Sequence, residues 1–271
     1  MRFVASLAVL ALTARAVLAQ EPSLAAQIAR GDSLRAERNS AGALAEYQRA
    51  LAADSTSYEA NWKAAREVAD VAKQLLGDSL SERRDSLYSV GRGWAERAIR
   101  ADSAGADGHF ALALVLGRLS LTKGSKERVR FAKIIYDEAS AAIRIDSLHD
   151  GAWHIIGQWN AEVKRLSGLQ RFFAKHLFGA GFMDRATWAD AVTALNRAVS
   201  LNPRQIYHHL ALAAVYADLD SLPRAEAELT TVADLPLGDP MDSHYKAWAA
   251  EALADLKADR AGDARDRLHH I

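Results

Sequence analysis

The chain has 271 residues, half of them apolar, with 34 lysines and arginines against 34 aspartates and glutamates and no cysteine. Zero net charge lacks the basic surplus that a nucleic-acid binder needs, and the missing thiols exclude disulfide frameworks, thiolate zinc sites and cysteine nucleophiles. This length and apolar content suffice to bury a sizeable core.

The N-terminus reads as a targeting segment. Met1-Arg2 supplies a short positive region, Phe3 to Leu12 is apolar apart from Ser6, and Val17-Leu18-Ala19 offers small residues for a signal peptidase. A run this short cannot span about 30 Å of hydrocarbon as a helix. The expectation is a signal peptide over residues 1–19, a mature domain over 20–271 and an exported, periplasmic protein. An N-terminal membrane anchor is the alternative.

Next comes a recurring junction. Ala50-Leu51-Ala52-Ala53-Asp54-Ser55, Ala98-Ile99-Arg100-Ala101-Asp102-Ser103, Ala142-Ile143-Arg144-Ile145-Asp146-Ser147 and Ala198-Val199-Ser200-Leu201-Asn202-Pro203 share one pattern, an amphipathic helix end followed by a turn. Four copies mark a repeat protein, and the spacings are those of tetratricopeptide units. The first unit carries Gly31, Ala43, Tyr47 and Ala50 around the turn Asn39–Gly42. Later units open at Trp62, His109, Trp153 and His209. The junction alanines lie 48, 44 and 56 residues apart, beyond the 34-residue norm. Insertions are therefore predicted at Gly77–Asp85, Leu121–Glu127 and Ser167–Asp184, within the turns between paired helices. A last helix over Asp242–Lys257 should cap the stack. The fold expected is all-α: a tetratricopeptide-like, right-handed superhelical solenoid of about five helix pairs with inserted turns and a C-terminal capping helix.

In such solenoids the first helix of each unit lines a concave face. The repeat phase places Asp107, Phe110 and Leu114 there, then His154, Gln158 and Glu162, then Tyr207, Leu210 and Ala214. That mixture suits an elongated ligand, although Phe110 and Leu210 serve equally well as core. Asp146, His149, Asp150 and His154 lack the spacing of a closed zinc site, so His154 reads as a hydrogen-bonded helix histidine. One of His208 and His209 should face inward, and the His269-His270 pair lies at a fraying end.

Lys126, Arg128 and Arg130 cluster at the third unit's inserted turn, and Arg171 and Lys175 at the fourth's. Equivalent turns share an edge, so these residues should form one basic rim. The acids Asp218, Asp220, Glu226, Glu228, Asp234, Asp239 and Asp242 should polarise the other end. Within the fourth insertion Leu169, Phe172, Phe173 and Leu177 form an apolar stripe flanked by Arg171 and Lys175. This helix could touch a lipid surface, but packing across the groove as a lid or end wall is the favoured expectation. No phosphate loop, nucleophile elbow or His-Glu zinc helix is present. A non-enzymatic protein without cofactor or metal is expected.

The segment His154-Ile155-Ile156-Gly157-x-Trp159, the basic-aromatic run Gln170–Phe178, the Thr187-x-x-x-Ala191 helix and the Tyr207–Leu219 unit resemble the regulator of microtubule dynamics family, which includes the protein tyrosine phosphatase-interacting protein. The Lys126-Glu127 turn and the Asp102 junction also fit. Resemblance covers Ala60 to Leu256 and is specific around His154–Phe178. It implies a tetratricopeptide-like domain without enzymatic activity. In animal members that domain is associated with organelle contact sites, microtubules and phospholipid binding or transfer. The export signal in place of a transmembrane anchor, and the absence of a long disordered segment, depart from that pattern. Two functions therefore compete: an envelope scaffold binding a protein or extended peptide in its groove, and a carrier of phospholipid or fatty acid. Nucleic acid is not expected as a partner; peripheral membrane contact is compatible with either reading.

Overall fold

The computed structural model describes residues 22–269. The segment 1–19 assigned to a signal peptide lies outside these residues, as does His270. The α-helices are α1 (Leu24–Ala36), α2 (Ser40–Ala53), α3 (Tyr58–Lys73), α4 (Ser81–Ala101), α5 (Ala106–Ser120), α6 (Ser125–Ile145) and α7 (Asp150–Arg165), followed by α8 (Gly168–Phe178), α9 (Trp188–Leu201), α10 (Ile206–Asp218), α11 (Leu222–Asp234), α12 (Asp242–Lys257) and α13 (Ala261–His269). Two 3-10 segments, Asp78–Leu80 and Ala180–Arg185, complete the regular structure, and there is no strand among the described residues.

The repeated junction has one geometry. Asp54, Asp102 and Asp146 each end a helix in an extended conformation, Asn202 ends one at φ −137° and ψ 78°, and each of the four donates its backbone N–H to the carbonyl of the alanine four residues earlier. The carbonyls of these four residues then accept the N–H three residues on, closing a turn. In the three aspartate copies Oδ1 also accepts the N–H two residues on, at 2.8, 2.9 and 2.9 Å. An aspartate side chain that mimics a backbone turn is the physical reason for this residue here. The Asn202 copy differs: its amide donates to Asp150 at 2.9 Å, tying the junction to the preceding unit.

The junction alanines Ala50, Ala98, Ala142 and Ala198 are fully buried. They sit where consecutive helices cross, and small side chains there let the backbones approach closely. Two glycines carry this to its limit. A Cβ on Gly31 would lie 2.4 Å from the Tyr47 ring, and one on Gly157 would lie 2.5 Å from Leu195. The pairs α1–α2, α3–α4, α5–α6, α7–α9 and α10–α11 form in sequence order. Three apolar clusters run along the stack, and Leu87 and Trp94 pack against both the N-terminal and the central one.

The insertions fall at the expected turns. The second and third units' additions lengthen α4 and α6 to 21 residues each, with a 3-10 segment added before α4. The fourth unit's adds α8 and the second 3-10 segment between α7 and α9. The expected capping helix α12 has the predicted limits, but it is the first of a sixth pair. α13 packs beside it and folds back on α10, where Arg265 donates to the Ala217 carbonyl at 2.7 Å.

Helix α8 is not the lid that its amphipathic stripe favoured. It rests against α6, and its only buried residue is Ala174. The acidic run does not form a free pole either. Asp218 pairs with Arg165, Glu228 with His209 and Asp239 with Lys73, and Asp242 accepts the N–H groups of Gly238 and Asp239. Long-range partners, invisible to local charge counting, neutralise much of it.

Gly157→Ala adds a methyl group where Leu195 and the Ala191 carbonyl already stand. The overpacking should outweigh the helix propensity gained and lower unfolding free energy by about 1–2 kcal/mol. Denaturant unfolding measures this, and an unchanged or raised midpoint would contradict the close crossing.

Candidate binding site on the concave face

The inner helices α5, α7, α10 and α12 project one connected array. The His154 ring lies 4.8 Å from that of Tyr207, which stacks on Tyr245 at 5.2 Å, and Tyr245 meets Trp248 at 5.8 Å. The Arg118 guanidinium from α5 sits 5.2 Å above the Tyr207 ring. A guanidinium over a tyrosine face is held by the ring's quadrupole. Among the described residues no carboxylate forms an ion pair with Arg118, although its aromatic surroundings remove much of its water.

Beneath this array runs a polar chain. His208 contacts Asp150 through Nε2 at 3.0 Å, and its Nδ1 lies 3.0 Å from Nδ1 of His154. Burial holds His154 well below the usual imidazole pKa, with His208 and Arg118 pushing the same way. A neutral His154 can donate Nδ1–H to His208, while His208 donates to the carboxylate. Burial works against the Asp150 charge, but hydrogen bonds from His208 and Asn202 hold its pKa below the ordinary carboxylate range. Both His208 and His209 are buried, so the expectation that one faces inward understated the packing. His209 contacts Glu228 at 2.6 Å and the Pro203 carbonyl at 2.9 Å.

The ends of the stack approach each other across the concave face. Lys73 on α3 pairs with Asp239, before α12, at 2.9 Å and with Asp70 at 2.9 Å. Burial opposes the Lys73 charge, but Asp70 foremost, with Tyr245 and Asp239, raises its pKa. Arg38 donates to the Leu237 carbonyl at 2.8 Å. Two cavities flank this bridge. One, about 310 Å³, is lined by Asp32, Arg35, Glu67 and the Gly238–Pro240 segment. The other, about 280 Å³, lies among Lys73, Arg84, Tyr88, Arg118, Tyr245 and Trp248. Arg84 is itself bound to the carbonyls of Leu75 and Gly77 at 2.6 and 2.7 Å.

The predicted groove residues divide. His154 and Tyr207 belong to the array. Gln158 is half-buried with a partnerless Oε1, while Glu162 is exposed and paired with Arg165 at 2.6 Å. Phe110 packs on His149 at 4.5 Å, and Leu114 packs against the central apolar cluster. Leu210 is only 2% exposed and belongs to the core, so it lines no groove. In the basic rim, Lys126, Arg128 and Arg130 are exposed, Arg171 is half-buried against the Lys164 carbonyl, and Lys175 pairs with Asp184. Arg118, Lys73, Tyr88 and Tyr245 were missed. Arg118 left one signal, as the lone cation in the otherwise apolar run Ala111–Leu119.

The family described as regulator of microtubule dynamics protein 1-3 matches residues 27–257. The chain belongs to this family. The match begins earlier than the Ala60 limit of the resemblance and takes in the first helix pair. Among this family member's relatives, regulator of microtubule dynamics protein 1 of Bos taurus is 27% identical over 201 residues, 74% of this chain and 62% of the relative. Protein 3 of Xenopus laevis is 26% identical over 176 residues, 65% of this chain and 37% of the relative. The chain thus spans between about a third and two thirds of these relatives' lengths. A thermophilic tetratricopeptide protein of Thermus thermophilus superposes with a TM-score of 0.60 at 17% identity, covering 86% of this chain and 100% of that one. That likeness establishes the solenoid fold of this family member.

Buried His154 gives a pH dependence. In the fold, His154 is depressed below the ordinary imidazole value of 6.5, so the unfolded chain takes up the extra proton, and stability falls as pH drops through about 6.5. His154→Asn should therefore lose less stability between pH 7 and pH 5 than the parent protein. The opposing contribution of His209, whose pKa is raised, is common to both and cancels in the difference. Equal losses in urea titrations would contradict this assignment.

Proposed function

We propose that this chain is a non-enzymatic interaction scaffold. It holds an extended protein segment on its concave face, with an acidic side chain or terminal carboxylate of the partner beside Arg118. The observation that carries this reading is a guanidinium framed by tyrosine rings and without a carboxylate partner among the described residues, at a cavity shared with Lys73, Arg84 and Trp248. Tyrosine, tryptophan and arginine are the side chains that dominate binding energy at protein interfaces. A carboxylate entering here would replace lost hydration with charge-assisted hydrogen bonds. The polar lining favours a peptide over an acyl chain, because Phe110, Leu114 and Leu210 are committed to packing between repeats. What the relatives' name says of microtubules is said of those longer proteins.

Location in the cell envelope is part of the same proposal and rests on the Met1–Ala19 segment. N-terminal sequencing of the protein from its own cells should begin at Gln20, and an intact Met1 would overturn cleavage.

Affinity capture from those cells, with the parent protein compared against Arg118→Gln and Trp248→Ala, tests the scaffold. A protein partner should be retained by the parent and weakened on the order of tenfold by Arg118→Gln, the scale of one charge-assisted hydrogen bond. Thermal unfolding of each variant separates lost binding from lost fold. Equal retention by all three folded proteins would sink the concave-face assignment.

A further inference from the structure

Helix α8 is specified by its own ends. Ser167 and Gln170 form a reciprocal capping box, with Gln170 N–H donating to Ser167 Oγ at 3.2 Å and Ser167 N–H to Gln170 Oε1 at 2.8 Å. Gly179 closes the other end in the left-handed conformation, φ 69°. The caps stabilise both ends of this short helix, and Ala174 seats it against α6. Its orientation reverses that of an ordinary surface helix. Ala174 is buried and Arg171 half-buried on the side toward the body. On the opposite side Leu169, Phe172, Phe173 and Leu177 are 66, 53, 47 and 66% exposed. No other helix carries so many of the exposed large apolar side chains among the described residues.

The charge around this stripe is predominantly basic: Lys175 pairs with Asp184 and Arg130 with Glu127, but Lys126, Arg128 and Arg171 have no acidic partner among the described residues. Between Glu162 and Asp184 the chain holds Lys164, Arg165, Arg171 and Lys175 and no acid. Helix α8 rests on α6, whose first turns present Lys126, Arg128 and Arg130 to solvent. A second copy of this chain would bring like charges together around the apolar stripe, which opposes self-pairing. A lipid surface meets both features. Its interior takes up leucine and phenylalanine while anionic head groups meet the basic flanks.

We propose that α8 is an interfacial helix, which inserts its Leu169, Phe172, Phe173 and Leu177 face into an anionic membrane surface. The inserted segment between α7 and α9 would then dock the solenoid by one edge. The concave face does not take part, so this proposal stands apart from the scaffold reading.

The absence of cysteine makes the test site-specific. In the full chain, Leu177→Cys carries an environment-sensitive nitrobenzoxadiazole label, and Ser200→Cys on exposed α9 surface serves as control. Each is mixed with phosphatidylcholine vesicles, with and without phosphatidylglycerol. The label at position 177 should brighten and shift to the blue with the anionic vesicles, while the control stays unchanged. Adding Lys175→Gln should weaken partitioning about fivefold, the scale of one basic residue near an anionic surface. Leu169→Ser should weaken it on the order of tenfold with an unchanged unfolding midpoint, because this side chain is already exposed. No response at position 177, or the same response at both positions, would overturn the proposal. So would a shift that grows with protein concentration in the absence of lipid, which would assign the stripe to a second copy.

Discussion

Close approach of helix backbones at alanine and glycine is the constraint on which this molecule depends. Ala50, Ala98, Ala142 and Ala198 have no solvent exposure, and each lends its carbonyl to the N–H of the residue that ends its helix. One short motif thus does two jobs. Its alanine sets the distance between neighbouring helices, and its aspartate or asparagine turns the chain toward the next unit. Larger side chains in the alanine positions would push the pairs apart and break the stacking that lets each repeat bury its apolar face only against its neighbours.

Insertions are tolerated because they leave this register alone. The longer α4 and α6 extend beyond the crossing points, and the α8 segment leaves the solenoid between α7 and α9 without preventing those two helices from pairing. Additions collected at one edge acquire a surface character of their own. In the fourth unit that character is an outward apolar stripe amid basic residues.

Curvature of the stack brings distant charges together. Lys73 and Asp239 are 166 residues apart in the chain and meet at 2.9 Å. Breaking a buried ion pair leaves an unsatisfied charge, so this contact favours a curled stack in which the second unit meets the segment before α12. The same curl frames the cavity beside Arg118. It converts an open groove into a small, charged and aromatic recess.

The helix-to-turn junction, the fold class, the places of the insertions and the family were legible in the sequence, because each is encoded by residues a few positions apart. The direction in which α8 turns its apolar side was not legible, since an amphipathic pattern identifies two faces without naming what covers either. Leu210 entered the core and Arg118 the aromatic recess for a related reason: helical phase drifts along a repeat, and a residue's exposure depends on which neighbour arrives across the superhelix. Local hydrogen bonding and small-residue spacing determined the repeat from sequence alone. Only the tertiary curl, through contacts such as Lys73 with Asp239 and Arg118 with Tyr207, decided which charges are neutralised by ion pairs and which are held by aromatic rings.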